Sequence, residues 1–319
     1  MKKFIGKILI LLLAVSLCMF LAAALDFFAA GSQYGYNYQA SALDKAARLR
    51  ATESPKIILV GNSNLPFGID SALLEKETGL PVVNLGLHAG LGNAFHEEFA
   101  KMNIKEGDLV IVCHTYYDDE DDIPSPSLAW ITIDNHPEML GILRLRDMPG
   151  MLAAYPNYLR KSFSLWLTKD GNKDEGGSYS RSAFNEYGDV IFKPAEKQMD
   201  PEEYFSDTSA HPVKAPKTGR MCMSRLNRYN EYVSSRGASL LIAGYPIAYG
   251  RYSDFDEADI AGFQAELEDS LDCTVISDFT DYMYPYEYFY DTYLHLKKDA
   301  TEVRTMQLAD DINRWMGGR

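Results

Sequence analysis

Lys56-Ile57-Ile58-Leu59-Val60-Gly61-Asn62-Ser63-Asn64 is the stretch on which the fold turns. An apolar, β-branched run breaks off into glycine and small polar residues, the pattern of a buried strand ending in a tight turn with a serine at its tip. In open α/β sheets ligands collect at the carboxyl ends of strands, and a serine on a sharp strand-to-helix turn faces substrate rather than the core. Ser63 is therefore the reference point for the rest of the chain.

Downstream, Ile69-Asp70-Ser71 leads into an amphipathic helix that stops at Gly79, and residues 81–85 read as a second strand. A glycine-rich turn over 86–92 precedes a helix at 93–102, and the continuously apolar segment 107–113 reads as a third strand buried on both faces. The rhythm resumes with a helix at 217–235, a strand at 238–243, a helix at 256–271, a short strand at 273–276 and a final helix at 298–316. Strands separated by helix-sized segments predict parallel βαβ units and an α/β fold. Between them, residues 116–217 carry an acidic cluster at 118–122, prolines, Trp130 and Trp166, and read as an insertion forming a partly helical cap over the sheet edge. The acidic cluster lacks regular ligand spacing and reads as a solvated face rather than a metal site.

With 319 residues and 46% hydrophobic content, the chain can bury a core of one large domain or two small ones. Lys+Arg number 31 against 45 Asp+Glu, and the net charge of -14 argues against a nucleic-acid partner, whose phosphates such a surface repels. Residues 1–30 differ in kind. Lys2, Lys3 and Lys7 precede an uncharged apolar run from Ile8 to Leu25 that ends at Asp26. Longer than a signal-peptide core and about the minimum for a spanning helix, the run reads as an uncleaved membrane anchor; cleavage after Ala24 or Ala30 is the competing reading. Lysines on its amino side alone predict a cytoplasmic amino terminus with the bulk of the chain extracytoplasmic. Residues 31–54, rich in tyrosine and small residues, with Leu43, Ala46, Ala47 and Leu49 spaced for a short helix, read as a juxtamembrane spacer providing standoff. Four cysteines are few for a disulfide scaffold and none are paired at metal-ligand spacing, so neither a metal nor a cofactor is expected.

A serine hydroxyl is a poor nucleophile at neutral pH unless a base takes its proton. Of six histidines, His88 and His96 flank the second turn, His114 ends the third strand, and His136 and His211 lie in the insertion. His295 stands in a loop before the last helix with an acid, Asp291, nearby, where a carboxylate could fix the imidazole tautomer. Asn84 reads as a strand-end cap.

These residues resemble the SGNH (GDSL-like) hydrolases. Gly61-Asn62-Ser63 is similar to the family's first block, with Asn for Asp; Gly86 in Val83-Asn84-Leu85-Gly86 is similar to the second-block glycine; Asp291 to Leu296 looks like the last block. The resemblance covers about residues 55–116 and 218–317. It implies a doubly wound, three-layer parallel sheet of flavodoxin-like kind, forming one domain over 55–319 around the insertion at 116–217. It also implies that Ser63 attacks, His295 shuttles the proton, Asp291 orients His295, and Gly86 N–H holds the oxyanion with Ser63 N–H; Asn62 and Thr115 are counted with Gly86 as oxyanion- or substrate-binding positions. Two departures stand out: Asp291 lies four residues before His295 rather than three, with Thr292 in the expected place, and residues 112–117 offer no third-block asparagine. The function implied is a serine esterase or O-acyltransferase acting on acyl groups of a cell-surface glycan or polymer, beside a membrane-bound O-acyltransferase. The alternative is a non-catalytic carbohydrate-binding or assembly protein on the same fold.

Overall fold

The computed structural model describes residues 2–115, 117–134, 136–191, 217–248 and 257–318. In chain order the helices are α1 (Lys2–Leu25), α2 (Ser41–Ala51), α3 (Ser71–Thr78), α4 (Asn93–Ala100), α5 (Pro126–Ile133), α6 (Met148–Thr168), α7 (Arg220–Ser235), α8 (Glu257–Ser270) and α9 (Lys298–Gly317). The strands are β1 (Ile57–Gly61), β2 (Val82–Asn84), β3 (Leu109–Cys113), β4 (Ser239–Ile242), β5 (Ile247–Ala248), β6 (Thr274–Val275) and β7 (Met283–Tyr284).

The fold is α/β, built on a five-stranded, all-parallel sheet in the order β2-β1-β3-β4-β6. Side chains on a strand alternate between faces, and here both faces are covered. Ile58, Val60, Val110, Val112, Leu240 and Ile242 pack with residues of α2, α4, α7 and α8, while Ile57, Leu59, Ile111 and Leu241 pack with Leu74 of α3 and Leu308 and Ile312 of α9. Burial on both sides is why these strands read as unbroken apolar runs. Register aligns Gly61 with Cys113, and Val112 with Ile242, so the turns after β1, β3 and β4 leave the same edge. The turn after β2 joins them there, with Leu59 opposite Asn84. A small parallel pair, β5 with β7, forms a second sheet that the sequence periodicity does not reveal.

Two expectations need correction. Residues 31–54 are not a standoff spacer: Tyr38, Ala42, Ala46 and Leu49 are buried, and α2 covers one face of the sheet. Its buried Lys45 donates to the carbonyls of Asn84 (2.9 Å) and Gly188 (2.6 Å), tying the end of β2 to the segment 185–190. Burial pulls the Lys45 ammonium down to about 7, against the opposing pull of Asp189 and Asp44. The acidic cluster is also more than a solvated face. Asp121 is buried and paired with Arg144 and Arg225, with Arg146 closing on its other oxygen, and Asp119 accepts from the Met221 N–H at the start of α7. Within the 116–217 segment, α5 and α6 are helical as expected, and Ala129, Ile133, Met139 and Met151 join the main core.

His96, on α4, is buried, and neither ring nitrogen reaches a hydrogen-bond partner among the described residues. Burial, reinforced by the neighbouring His114 and His88 and partly opposed by the His88 backbone, lowers its pKa from 6.5 to about 3. The unfolded chain therefore binds a proton below pH 6.5 that the folded chain refuses until about pH 3, so this group withdraws stability as pH falls through that window. The loss approaches about 1.4 kcal/mol per pH unit in mid-window. Chemical denaturation of wild type and His96→Leu across pH 6.5 to 4.5 should give a stability difference that changes with pH, the wild type declining more steeply.

Candidate active site

The turn after β1 is held by asparagine side chains. Asn62 Oδ1 accepts from the Asn64 backbone N–H (3.0 Å) and side-chain amide (2.7 Å), while Asn62 Nδ2 donates to Thr115 Oγ1 (2.6 Å). Asn64 Nδ2 also reaches the Cys113 carbonyl (3.0 Å), lashing the β1 turn to the end of β3. Beneath it, the fully buried Arg304 of α9 donates to Asn64 O (2.6 Å) and Oδ1 (2.7 Å). Glycine is required at 86 because a Cβ there would lie 2.8 Å from Asn62 O and collide with Pro66, so the turns after β1 and β2 interlock.

Removing a buried donor leaves its acceptors unsatisfied at roughly 1–3 kcal/mol each. Arg304→Met is therefore expected to destabilise the fold by about 3 kcal/mol, seen as a lower midpoint in urea, and to loosen the turn carrying Ser63.

Ser63, half-buried, meets a histidine from the far end of the chain. His295 Nε2 is 2.9 Å from Ser63 Oγ across 232 positions of sequence, and His295 Nδ1 is 2.8 Å from Asp291 Oδ1. An ionised Asp291 places the proton on Nδ1 and leaves Nε2 to accept from the serine hydroxyl. The imidazole plane is set by Phe67, whose ring stacks on it at 4.0 Å and 10°. The backbone reinforces the approach: the Leu296 N–H donates to Phe67 O at 3.1 Å, stitching the His295 loop to the Ser63 turn. Thr292 has a different job from the acid expected there. Its Oγ1 accepts from the backbone N–H groups of Leu294 and His295, each at 3.2 Å, shaping the loop that brings Asp291 round to the ring from four residues away.

Tyr179 completes the chain of contacts. Its hydroxyl donates to Asp291 Oδ2 at 2.6 Å and lies 3.3 Å from His295 Nδ1. Burial, together with the bond to Asp291 and its charge, pushes the phenol pKa up, so it stays a donor. Tyr179 comes from the insertion and sits in Ser178-Tyr179-Ser180, with no periodicity or motif to mark it. Arg304 was more legible in principle: it shares a buried helical face with Ala300, Thr301, Leu308 and Ile312.

The remaining site expectations fare differently. Gly86 lies beside the Ser63 turn, but its N–H donates to Asn84 Oδ1 at 3.0 Å, so it is not the free oxyanion donor expected. Asn62 is buried and spends its amide on the turn, which makes it a brace rather than a substrate contact. Thr115 is likewise buried, accepting from Asn62 and keeping a hydroxyl proton to donate. Asn84 caps its strand end as read, and its amide also donates to Asp189 Oδ1 (2.8 Å). His88 accepts from the Gly90 N–H at 2.9 Å; burial and the nearby His295 both lower its pKa. His114 belongs to a buried network with Glu97 and Arg225, His136 pairs with Glu138 at the surface, and His211 lies outside the described residues.

An alcohol, an imidazole and a carboxylate in this order can move a proton off the alcohol as it attacks an electrophilic carbon and return it to the leaving group. Among the described residues, no cluster of three or more His, Cys, Asp or Glu side chains could hold a metal ion. Compared with known proteins, the chain matches no family model, no curated protein and no solved structure.

Proposed function

We propose that this chain is a serine-dependent esterase or O-acyltransferase of the SGNH (GDSL-like) kind, acting on acyl groups of a cell-surface glycan or polymer. The observation that carries this reading is the unbroken series Ser63 Oγ, His295 Nε2, His295 Nδ1 and Asp291 Oδ1, with links of 2.9 and 2.8 Å. The strand order β2-β1-β3-β4-β6, with helices on both faces, supports the doubly wound, three-layer form.

In this mechanism Ser63 Oγ attacks an ester carbonyl while its proton passes to His295 Nε2. The bond to the leaving alcohol breaks as that alcohol takes the proton, and the acyl group stays on Ser63. Water or a glycan hydroxyl, deprotonated by His295, then attacks the acyl-serine and regenerates the free hydroxyl. Asp291 holds the imidazolium formed at each stage, and Tyr179 holds Asp291. Ser63 N–H is the natural donor to the developing oxyanion; Gly86 N–H joins it only by sharing its proton with Asn84 Oδ1. The choice between water and sugar hydroxyl separates esterase from transferase.

The apolar helix near the amino terminus, 28 residues over Lys3–Ala30 and long enough to cross a membrane, supports action at a membrane; the lysines on its amino side alone are what favour an extracytoplasmic bulk of the chain. A membrane-bound O-acyltransferase is the partner such an arrangement suits. Cleavage after Ala30 fits less well, because it would remove Asp26, which is buried and accepts from Ser162.

The engagement of Gly86 N–H, together with the absence of an asparagine at 112–117, favours the second reading, a binding or assembly protein that keeps the fold without turnover. The two are separated by release of p-nitrophenol from its acetate by the full-length chain in detergent. Release above the buffer rate supports the enzyme; none from demonstrably folded protein supports the binder.

A further inference from the structure

Most of α1 is exposed, but Met19, Ala22 and Ala23 are half-buried, and on the same face Asp26, just beyond its end, is buried. What covers that face is α6. Ser162 Oγ donates to Asp26 Oδ1 at 2.6 Å, whereas four residues earlier Tyr158 OH donates to Asp134 Oδ1 at 3.1 Å, and Asp134 in turn accepts from the Tyr34 N–H. Tyr158 and Ser162 thus hold α6 against the amino-terminal segment at Tyr34 and Asp26. The last turn of α6 lies one helical turn beyond Ser162, and just after it the Asn172 N–H donates to Gln33 O at 2.8 Å, so this end of α6 stays beside the segment that leaves α1.

That last turn is dressed for such a place. Trp166 is 37% exposed and Leu167 is 74% exposed, and just beyond α1 the aromatic pair Phe27 and Phe28 is exposed too, Phe28 to 83%. Arg160, Lys161 and Lys169 are exposed around them, with no acidic partner among the described residues, although the chain as a whole carries a charge of -14. Lys169 then reverses the chain with φ +60°, and Lys173 beyond it is paired with Asp170.

We propose that the carboxyl-terminal turn of α6 sits in the headgroup layer of the membrane that α1 enters, so that the domain is seated on the lipid surface by two elements. The depth follows from proximity: where α1 spans a bilayer, Asp26 marks the end of its apolar run, and α6 is hydrogen-bonded at that level, with Trp166 one helical turn from Ser162 on the same face. Tryptophan and other aromatic side chains with apolar neighbours suit the interface, and the three cations suit lipid phosphates. The occupant is a lipid surface rather than another protein because the anchor already brings one to this face. The domain would then be held close to the bilayer, its substrates approached from a fixed side.

The test is fluorescence of the full-length chain reconstituted in vesicles of phosphatidylcholine and phosphatidylglycerol, with and without bromine on the acyl chains. Protection of Cys18, on the exposed part of α1, from a water-soluble maleimide reports that the anchor is embedded. With Cys18 protected, wild type should be quenched by brominated lipid. Trp166→Phe, which keeps Trp130 and Trp315, should lose most of that quenching, and Leu167→Glu should weaken it while leaving Trp166 in place. Equal quenching of wild type and Trp166→Phe, or Trp166 emission insensitive to bromine with Cys18 protected, overturns the proposal. A maleimide-reactive Cys18 in intact vesicles overturns it as well, since α1 is then not in the bilayer. None of these readouts depends on ester hydrolysis.

Discussion

Ser63→Ala should abolish turnover of p-nitrophenyl acetate to within the buffer rate, a loss of about 10⁴-fold or more for an enzyme whose chemistry runs through that oxygen. The nitrogen that takes the proton, His295 Nε2, is engaged by Ser63 Oγ at 2.9 Å, so the substitution removes the group the base acts on. The fold should be indifferent to the change. The turn is braced by Asn62, Asn64, Thr115 and Arg304 rather than by the serine hydroxyl, so the urea midpoint should stay near that of wild type. A variant that loses activity and stability together would point to the turn rather than to the nucleophile.

The second large effect is expected at Asp291. Asp291→Asn keeps the shape but offers an amide N–H to His295 Nδ1, favouring the tautomer with its proton on Nε2, which cannot accept from Ser63. In a serine–histidine–aspartate arrangement this costs about 10⁴-fold in kcat. Tyr179→Phe provides the graded comparison. It removes one charge-assisted hydrogen bond to the carboxylate but leaves the Asp291–His295 contact, so the loss should be about tenfold, falling on kcat rather than KM. Steady-state kinetics of both variants checks the ranking; Tyr179→Phe losing as much as Asp291→Asn would mean that the tyrosine does more than hold the acid.

The parts of this molecule that were legible in the sequence are those where one physical demand dominates. A central parallel strand must be apolar on both faces, so 57–61 and 109–113 announce themselves, and the turn that ends β1 carries its serine in plain view. His295 could be paired with Ser63 only because an acid stood beside it in a loop before the last helix. Residues 31–54 misled because tyrosines and small residues also compose linkers, whereas here Tyr38 packs with Phe67 and Phe184 and α2 closes the sheet. The role of the Gly86 N–H was hidden for another reason: whether an asparagine two residues earlier caps the strand or leaves the amide free is a matter of one side-chain rotation. Tyr179 could not have been found, since it reaches the site from 116 positions before His295 through the path of the insertion alone.

The central claim, that Ser63 is a nucleophile activated by His295, is tested most directly by treating the folded chain with a fluorophosphonate and mapping the adduct by peptide mass spectrometry. The account predicts a single adduct on Ser63 that is absent after His295→Ala. An adduct on a different residue, or an unmodified Ser63 in folded wild-type protein, would contradict it.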